Sequence, residues 1–375
     1  MELILQVTST DPSRQIGRLL ELPLGLDVWE IKEGYAVLRA SQAQAERLRH
    51  IGFGVEELHQ TERYVTTFAT AEAALGYHSA QSIETDLRAL AAQRPDIAEL
   101  HEIGRSVEDR PIWALRIGER RPGVPKILFL GCHHAREWIA VEVPYLLADH
   151  LVHNAGTDPV QGWLRRGEIW VAPMVNPDGH EYTRTHDRLW RKNRRKNFDG
   201  SFGVDPNRNY GYMWGTLNVN TSSHVPHDET YVGPRAFSEP ETRAVRNLVA
   251  QQQFSGLLTY HSYSQLILHP WGYTPTPVAD VKERSVLAAM ATRMQQLIQG
   301  VHGTVYTPEQ SSKLYPTAGD TTDWSFGEYG IPSFTIELRP RSQEQGGFIL
   351  PADQILPTWE ENRPAAFELI SHTIQ

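Results

Sequence analysis

The chain is poor in cysteine, in long apolar runs and in surplus positive charge, and each shortage closes off a class of protein. One cysteine, Cys132, among 375 residues cannot form an internal disulfide, so stability has to come from a packed core rather than from covalent staples. Cys132 follows the apolar run Ile127-Leu128-Phe129-Leu130-Gly131 and reads as a buried structural thiol rather than a nucleophile or ligand. No run is long enough to span a bilayer, and Met1-Glu2-Leu3-Ile4-Leu5-Gln6 shows no export-signal pattern. With 45 acidic against 36 basic residues and a net charge of -9, the chain lacks the basic footprint that nucleic-acid binding requires. One stretch dissents: Arg184 to Lys196 carries Arg188, Arg191, Lys192, Arg194, Arg195 and Lys196. Most of it reads as a solvated loop; Arg188 and Arg191 are set apart below.

What is present is a soluble, enzyme-sized chain with a hydrophobic fraction of 40% and no low-complexity tract. Residues 1–60 alternate strand and helix patterns at Glu2 to Thr8, Pro12 to Glu21, Val28 to Lys32, Tyr35 to Arg39, Gln42 to Ile51 and Val55 to Leu58. Glu33-Gly34 marks a hairpin, so the order is βαββαβ, a small open sandwich. Residues 61–76 read as a linker ending in an Ala-rich stretch, with Arg63 as its basic point.

Residues 77–375 form the larger unit. Apolar strands are expected at Ala98 to Ile103, Pro111 to Ile117, Ile127 to Gly131, Glu168 to Met174, Gly256 to Tyr260 and Ser333 to Leu338. Helices are expected at Ser82 to Gln93, Glu137 to Val152 and Asp353 to Ile374. Continuous apolar strands alternating with helices indicate an α/β fold, a mixed, mostly parallel sheet with helices on both faces. Ligand sites in such folds lie beyond the strand ends.

Two strand ends carry metal-binding residue types. Gly131-Cys132-His133-His134-Ala135-Arg136-Glu137-Trp138 places His134 and Glu137 three apart, and Thr259-Tyr260-His261-Ser262-Tyr263-Ser264 ends a second strand in a histidine. Two histidines and a glutamate make a three-ligand set that leaves a fourth position on zinc open to water. On this pattern alone, core or surface histidines stand as an equal alternative.

Further blocks lie between and beyond: Asn176 to Gly179, Arg188 to Lys192, Gly203 to Asn209 and Phe334 to Arg339. In this order, across residues 77–375, they resemble the carboxypeptidase A/B family of zinc metallocarboxypeptidases. The resemblance implies one Zn2+ held by His134, Glu137 and His261, not by His133, with Asp205 orienting a ligand histidine. It makes Glu337 the general base toward a zinc-activated water and Arg191 the group that stabilises the oxyanion. Arg136 and Arg188 become positive groups lining the cleft, while Asn207, Arg208 and Tyr315 grip a terminal carboxylate, so peptide and protein C-termini are the implied substrates.

The pocket for the departing side chain is expected to be lined by Leu268, Gly272, Thr317, Asp320, Thr322 and Thr335. Thr322 at the floor with Asp320 beside it resembles bacterial carboxypeptidase T and implies acceptance of apolar and basic residues; the competing arrangement turns Asp320 to solvent. The family's cis peptides map to Ser262-Tyr263, Pro270-Trp271 and Arg339-Pro340. Residues 1–60 resemble an inhibitory pro-region that covers the active site in cis, with a cut expected near Arg63 or in the Ala-rich stretch. The chain is expected to act as a monomer. Extracellular and cytoplasmic locations both stay open, because the family is secreted and no signal is visible. Rival readings are a zinc amidohydrolase acting on acyl-amino acids, expected to lack the Asn207, Arg208 and Tyr315 set, and a non-catalytic peptide-binding module, expected to lose Glu337 or a ligand.

Overall fold

The computed structural model describes residues 2–9, 16–68 and 76–374. Two sheets organise it. The first has strand order β2-β3-β1-β4, built from β1 (Glu2–Ser9), β2 (Asp27–Lys32), β3 (Tyr35–Ser41) and β4 (Phe53–Gln60), paired antiparallel throughout. Alternation along β1 decides its packing. Leu3, Leu5 and Val7 join Leu19, Leu38 and Leu48 in a local core, whereas Ile4, with Trp29 and Val37, packs against Tyr64, Leu189, Tyr263 and Phe348 of later segments. Helix α1 (Gln42–His50) starts at a capping box, where the Ser41 side chain accepts from the Gln44 N–H and Gln44 reaches back.

Two expectations in this part need correction. The helix expected over Pro12 to Glu21 is a 3-10 turn at Ile16–Glu21, and residues 12–15 lie outside the described residues. The stretch read as linker begins with a helix, α2 (Thr61–Phe68). Its one buried residue, Tyr64, donates a 2.6 Å hydrogen bond to the Gly346 carbonyl and packs among aromatic rings. Val65 and Phe68 of the same helix pack on that cluster as well, and together they hold a turn that composition leaves unassigned. The Ala-rich residues 69–75 lie outside the described residues.

The second sheet has eight strands in the order β11-β10-β12-β9-β7-β8-β6-β5. Its centre is parallel: β12 (Ser333–Leu338), β9 (Gly256–Ser262), β7 (Lys126–Gly131) and β8 (Glu168–Ala172). On one side β6 (Pro111–Ile117) and β5 (Ala98–Arg105) continue antiparallel. On the other, β10 (Leu266–His269) runs antiparallel to β12 and parallel to β11 (Thr307–Gln310). Helices cover both faces. One face packs on α3 (Ala80–Gln93), α4 (Ile139–His153), α5 (Val160–Arg166), α8 (Val281–His302) and α10 (Ile355–Thr373) through the largest core. The other packs on α7 (Pro240–Gln252) and α9 (Thr321–Tyr329), with Tyr210, Leu248, Leu257 and Trp324 between. Helix α6 (Pro177–Thr185) follows β8 and is capped by Asn176. The mixed α/β architecture expected from the apolar strands is therefore the one found. The cis bonds at Ser262-Tyr263, Pro270-Trp271 and Arg339-Pro340 are present, together with Asp158-Pro159.

Candidate active site

Three adjacent parallel strands deliver the chemistry to one end of the sheet. At the end of β7 an added Cβ on Gly131 would collide with the Ala140 carbonyl oxygen, and Cys132 turns the chain away with φ 54. His134 and Glu137 sit in that turn, just before α4, both buried. His261 is the penultimate residue of β9, and the parallel register of β12 sets Glu337 directly beside it. Cys132 is buried, and burial pushes its thiol well above the ordinary range, which fits an inert structural residue.

His134, Glu137 and His261 bring one donor atom each to within 4.8 Å of one another. His134 Nδ1 lies 2.8 Å from Glu137 Oε1, His261 Nδ1 lies 3.0 Å from Glu137 Oε2, and the two Nδ1 atoms are 3.1 Å apart. Donors around a tetrahedral zinc at 2.0–2.1 Å are separated by about 3.3 Å, so these residues fit one Zn2+ held by two imidazoles and a carboxylate. His133 takes no part. It lies beyond the strand end, 2.8 Å from the Tyr210 hydroxyl and stacked on His261. Asp205 Oδ1 is 3.2 Å from His134 Nε2, where it can accept the ring proton when Nδ1 serves a metal.

Around this point stand the other expected residues. Arg191 is anchored to Asp205 Oδ2 through Nε at 3.0 Å and Nη2 at 2.8 Å, with Nη2 also 2.8 Å from His134 Nε2. Asn207, Arg208, Tyr315 and Glu337 line the same cleft as His134 and His261. The Glu337 carboxylate makes no hydrogen bond among the described residues. Burial, with the Glu137 charge against His261 and Arg191, pushes its carboxyl up to about 8. Burial likewise raises Tyr315, opposed by Arg191 and Arg208. The Arg208 guanidinium is less free than a fork model assumes: Nε donates to the Thr221 carbonyl at 2.5 Å and Nη1 to the Asn207 carbonyl at 2.7 Å. Nη2 is the arm left open.

Leu268, Thr317, Asp320, Thr322 and Thr335 line the pocket beyond. Gly272, expected in the lining, stands instead against two of these residues: a Cβ there would meet Thr317 Oγ1 and Asp320 Oδ2. Asp320 faces this pocket, buried, and also caps α9: it accepts from the Asp323 N–H at 2.8 Å, from Thr322 Oγ1 at 3.1 Å and from Thr317 Oγ1 at 2.9 Å. Ser311 and Leu314 complete the lining and went unnoticed in the sequence, as did Asp323 behind it. The Asp323 carboxylate accepts the Gly272 and Tyr273 N–H groups at 2.9 and 3.0 Å. Burial and the neighbouring Asp320 raise it well above the carboxylate range. The Asp-x-x-Asp spacing at a helix start was the available signal.

The remaining arginines point elsewhere. Arg136 is buried and donates from Nη1 and Nη2 to Asp27 of β2, at 2.6 and 2.9 Å. Burial alone would raise Asp27, but the charge and hydrogen bonds of Arg136 outweigh it and hold the carboxyl low. Arg188 lies over the Trp138 ring at 3.9 Å and donates to the Arg136 and Phe348 carbonyls. The basic stretch is therefore not a solvated loop. Lys192 is buried on the Pro226 and Asp228 carbonyls, Arg194 stacks on Tyr182, and Arg195 pairs with Glu239. Asp27 carried no sequence signal, because its partner is 109 positions away.

Comparison with known proteins agrees with this geometry. Residues 83–365 match the family model described as zinc carboxypeptidase. The chain is 38% identical over 292 residues to carboxypeptidase B of Astacus astacus, covering 76% of this chain and 93% of that one. It is 32% identical over 348 residues to a zinc carboxypeptidase of Saccharothrix mutabilis subsp. capreolus, covering 88% and 78%. Among solved structures, carboxypeptidase A from Helicoverpa armigera superposes with a TM-score of 0.85 at 25% identity, covering 100% of this chain and 98% of that one. Thrombin activatable fibrinolysis inhibitor does so with 0.82, also at 25% identity, covering 100% and 99%. With its strand-end donors, its sheet order and this extent of match, the chain belongs to the zinc carboxypeptidase family.

Proposed function

We propose that the chain removes single residues from peptide and protein C-termini, taking apolar and basic terminal side chains, and that residues 1–60 hold it latent. The carrying observation is that the Glu337 carboxylate, without a hydrogen-bond partner among the described residues, shares a cleft with His134 and His261 of the three-donor set. Zinc bound there would polarise a water molecule and the scissile carbonyl. Glu337 is the base that takes the water proton and returns it to the leaving amine, for which a carboxyl raised by burial is suited. Arg191, fixed through Nε and Nη2, offers Nη1 to the developing oxyanion. Asn207 Nδ2, Arg208 Nη2 and the Tyr315 hydroxyl grip the terminal carboxylate together rather than through one bidentate fork.

The pair Asp320 and Thr322 supports reading the pocket as similar to that of bacterial carboxypeptidase T. Asp320 gives a Lys or Arg side chain a carboxylate on the wall, and Thr322 with Thr335, 3.1 Å apart, leaves a floor that an apolar side chain tolerates. The division into residues 1–60, a linker at 61–76 and a catalytic unit at 77–375 rests on the two separate sheets. Latency is supported by the Asp27–Arg136 pair one residue from Glu137, and by Asn220, whose side chain binds the Leu19 and Leu22 carbonyls and the Leu26 N–H. Arg136 and Arg188 would line the substrate path once that cover is gone.

The test is steady-state hydrolysis of blocked dipeptides ending in Phe, Leu, Arg, Lys or Glu, before and after limited proteolysis of residues 61–76, with a chelator control. Chelator-sensitive release of Phe and Arg that rises after the cut is expected. Release of Phe alone would refute the basic specificity, and no release from the zinc-loaded, cut chain would refute the carboxypeptidase reading.

A further inference from the structure

His133, the histidine that the metal does not use, is wired to the opposite side of the cleft. Thr321 at the start of α9 donates twice to Asn207 Oδ1, from its backbone N–H at 2.9 Å and from Oγ1 at 2.7 Å. A backbone N–H can only face an oxygen, so these bonds fix which way the Asn207 amide is turned. Its NH2 is left pointing toward the metal donors, 3.5 Å from His261 Nε2.

The same contacts fix the rest of the chain of donors. An oxygen pair at 2.7 Å, one of them an amide carbonyl, commits the Thr321 hydroxyl proton to Asn207. The Thr321 oxygen can then only accept. His133 Nε2 lies 3.2 Å from it and 2.8 Å from the Tyr210 hydroxyl, so Nε2 is the protonated nitrogen and shares its hydrogen between those oxygens. Nδ1 faces the Thr259 hydroxyl at 3.4 Å. Thr259, His133, Tyr210 and Thr321 are all buried, which leaves no water to randomise the arrangement.

We infer that His133 and Thr321 are positioning residues for the carboxylate grip: through their ordered hydrogen bonds they hold the Asn207 amide with its NH2 group toward the substrate. This rests on the carboxypeptidase reading and assigns a use to the first histidine of the His133-His134 pair. Without the Thr321 hydroxyl and the His133 donor behind it, the amide loses its second anchor and samples the turned-over state. That state presents an oxygen to the substrate carboxylate and repels it.

The experiment uses the zinc-loaded chain, intact and after limited proteolysis, with Thr321→Val, Thr321→Ser, His133→Leu and His133→Gln. KM and kcat are measured on blocked dipeptides, binding of free phenylalanine is followed by calorimetry, and zinc stoichiometry is determined. Thr321→Val and His133→Leu are expected to raise KM and weaken phenylalanine binding by roughly ten-fold, the loss of one hydrogen bond to a charged group. kcat and zinc content should stay close to wild type. Thr321→Ser, which keeps the hydroxyl, and His133→Gln, which keeps a donor, are expected to recover most of the loss. Unchanged KM in both Thr321→Val and His133→Leu, or losses confined to kcat or zinc content, would overturn the inference. So would failure of the conservative variants to recover binding. A wild-type chain that releases no terminal residue would refute the carboxypeptidase reading instead, and this inference with it.

Discussion

Two buried charge clusters flank Glu137, and they are built on opposite plans. On one side His134 Nδ1, His261 Nδ1 and both Glu137 oxygens turn toward a common point, acceptor facing acceptor. On the other, Arg136 and Asp27 match donor to acceptor through both Nη1 and Nη2. Converging acceptors mark a place built to receive a cation. A matched pair that ties the first sheet to the turn after β7 marks a joint.

Removing a donor from the first cluster should leave the second standing, and this is the largest effect expected. His261→Ala should lose zinc and more than about a thousand-fold of activity, some 4 kcal/mol in the barrier. Its Asp27–Arg136 joint should resist proteolysis as before. If the joint opened together with zinc loss, the two clusters would be one cooperative unit. Zinc content and resistance of the intact chain to proteolysis read the two sides separately.

The converse change is Asp27→Asn. It strands a buried guanidinium, which costs about 3–5 kcal/mol when a pair is broken from one side. Activity of the uncut chain should therefore rise by roughly a hundred- to a few-thousand-fold, as the open state gains population. After the linker is cut the variant and wild type should match, because Asp27 has left with its sheet. An uncut variant as silent as wild type would show that the apolar seam of Trp29, Tyr263 and Phe348 holds the cover without the charge.

Asp320 stands between these plans, partly saturated yet facing a pocket. Asp320→Asn keeps the helix cap, since Asn caps as well as Asp. It removes the charge, and kcat/KM for Arg-terminated peptides should fall roughly ten- to a hundred-fold relative to Phe-terminated ones. Equal losses for both substrates would mean that Asp320 serves the pocket only as a cap.

The contrast also explains what could be read in the sequence. The converging donors are local: His134 and Glu137 share a turn, and His261 and Glu337 end apolar strands whose pattern announces the sheet. The joint is not local. Nothing near Asp27 distinguishes it from a hairpin aspartate, and nothing near Arg136 says that its partner lies in another sheet. Arg188 was set apart for its charge, yet two backbone carbonyls and the Trp138 ring occupy it, contacts that have no sequence pattern. The short strands β10 and β11 were missed because four residues are too few to show alternation. Helix α2 was missed because its anchoring partners, the Gly346 carbonyl for Tyr64 and the aromatic cluster for Val65 and Phe68, lie far along the chain.

A second joint, where the chain enters the catalytic unit, sharpens the comparison by titrating. His78 Nδ1 lies 2.6 Å from Glu142 Oε2 and Nε2 lies 3.0 Å from Asp86. Burial pulls its pKa down, but hydrogen bonds and charge from Glu142 and Asp86 outweigh this and raise it above the ordinary value. The protonated ring is thus the form that the fold prefers. Its stabilisation is fully present below the unfolded value of about 6.5 and is lost as pH rises through the raised folded value. His78→Gln should lower stability by about 1–3 kcal/mol in mild acid, and the deficit should shrink as pH climbs toward 9. Denaturant unfolding of both proteins at each pH isolates this cluster, because the titrations of groups remote from His78 cancel in the difference. Asp27 and Arg136, both charged throughout that range, should give Asp27→Asn a flat profile over the same interval. A pH-independent deficit in His78→Gln would mean that the ring is held by packing against Tyr145, 4.4 Å away, rather than by its charge.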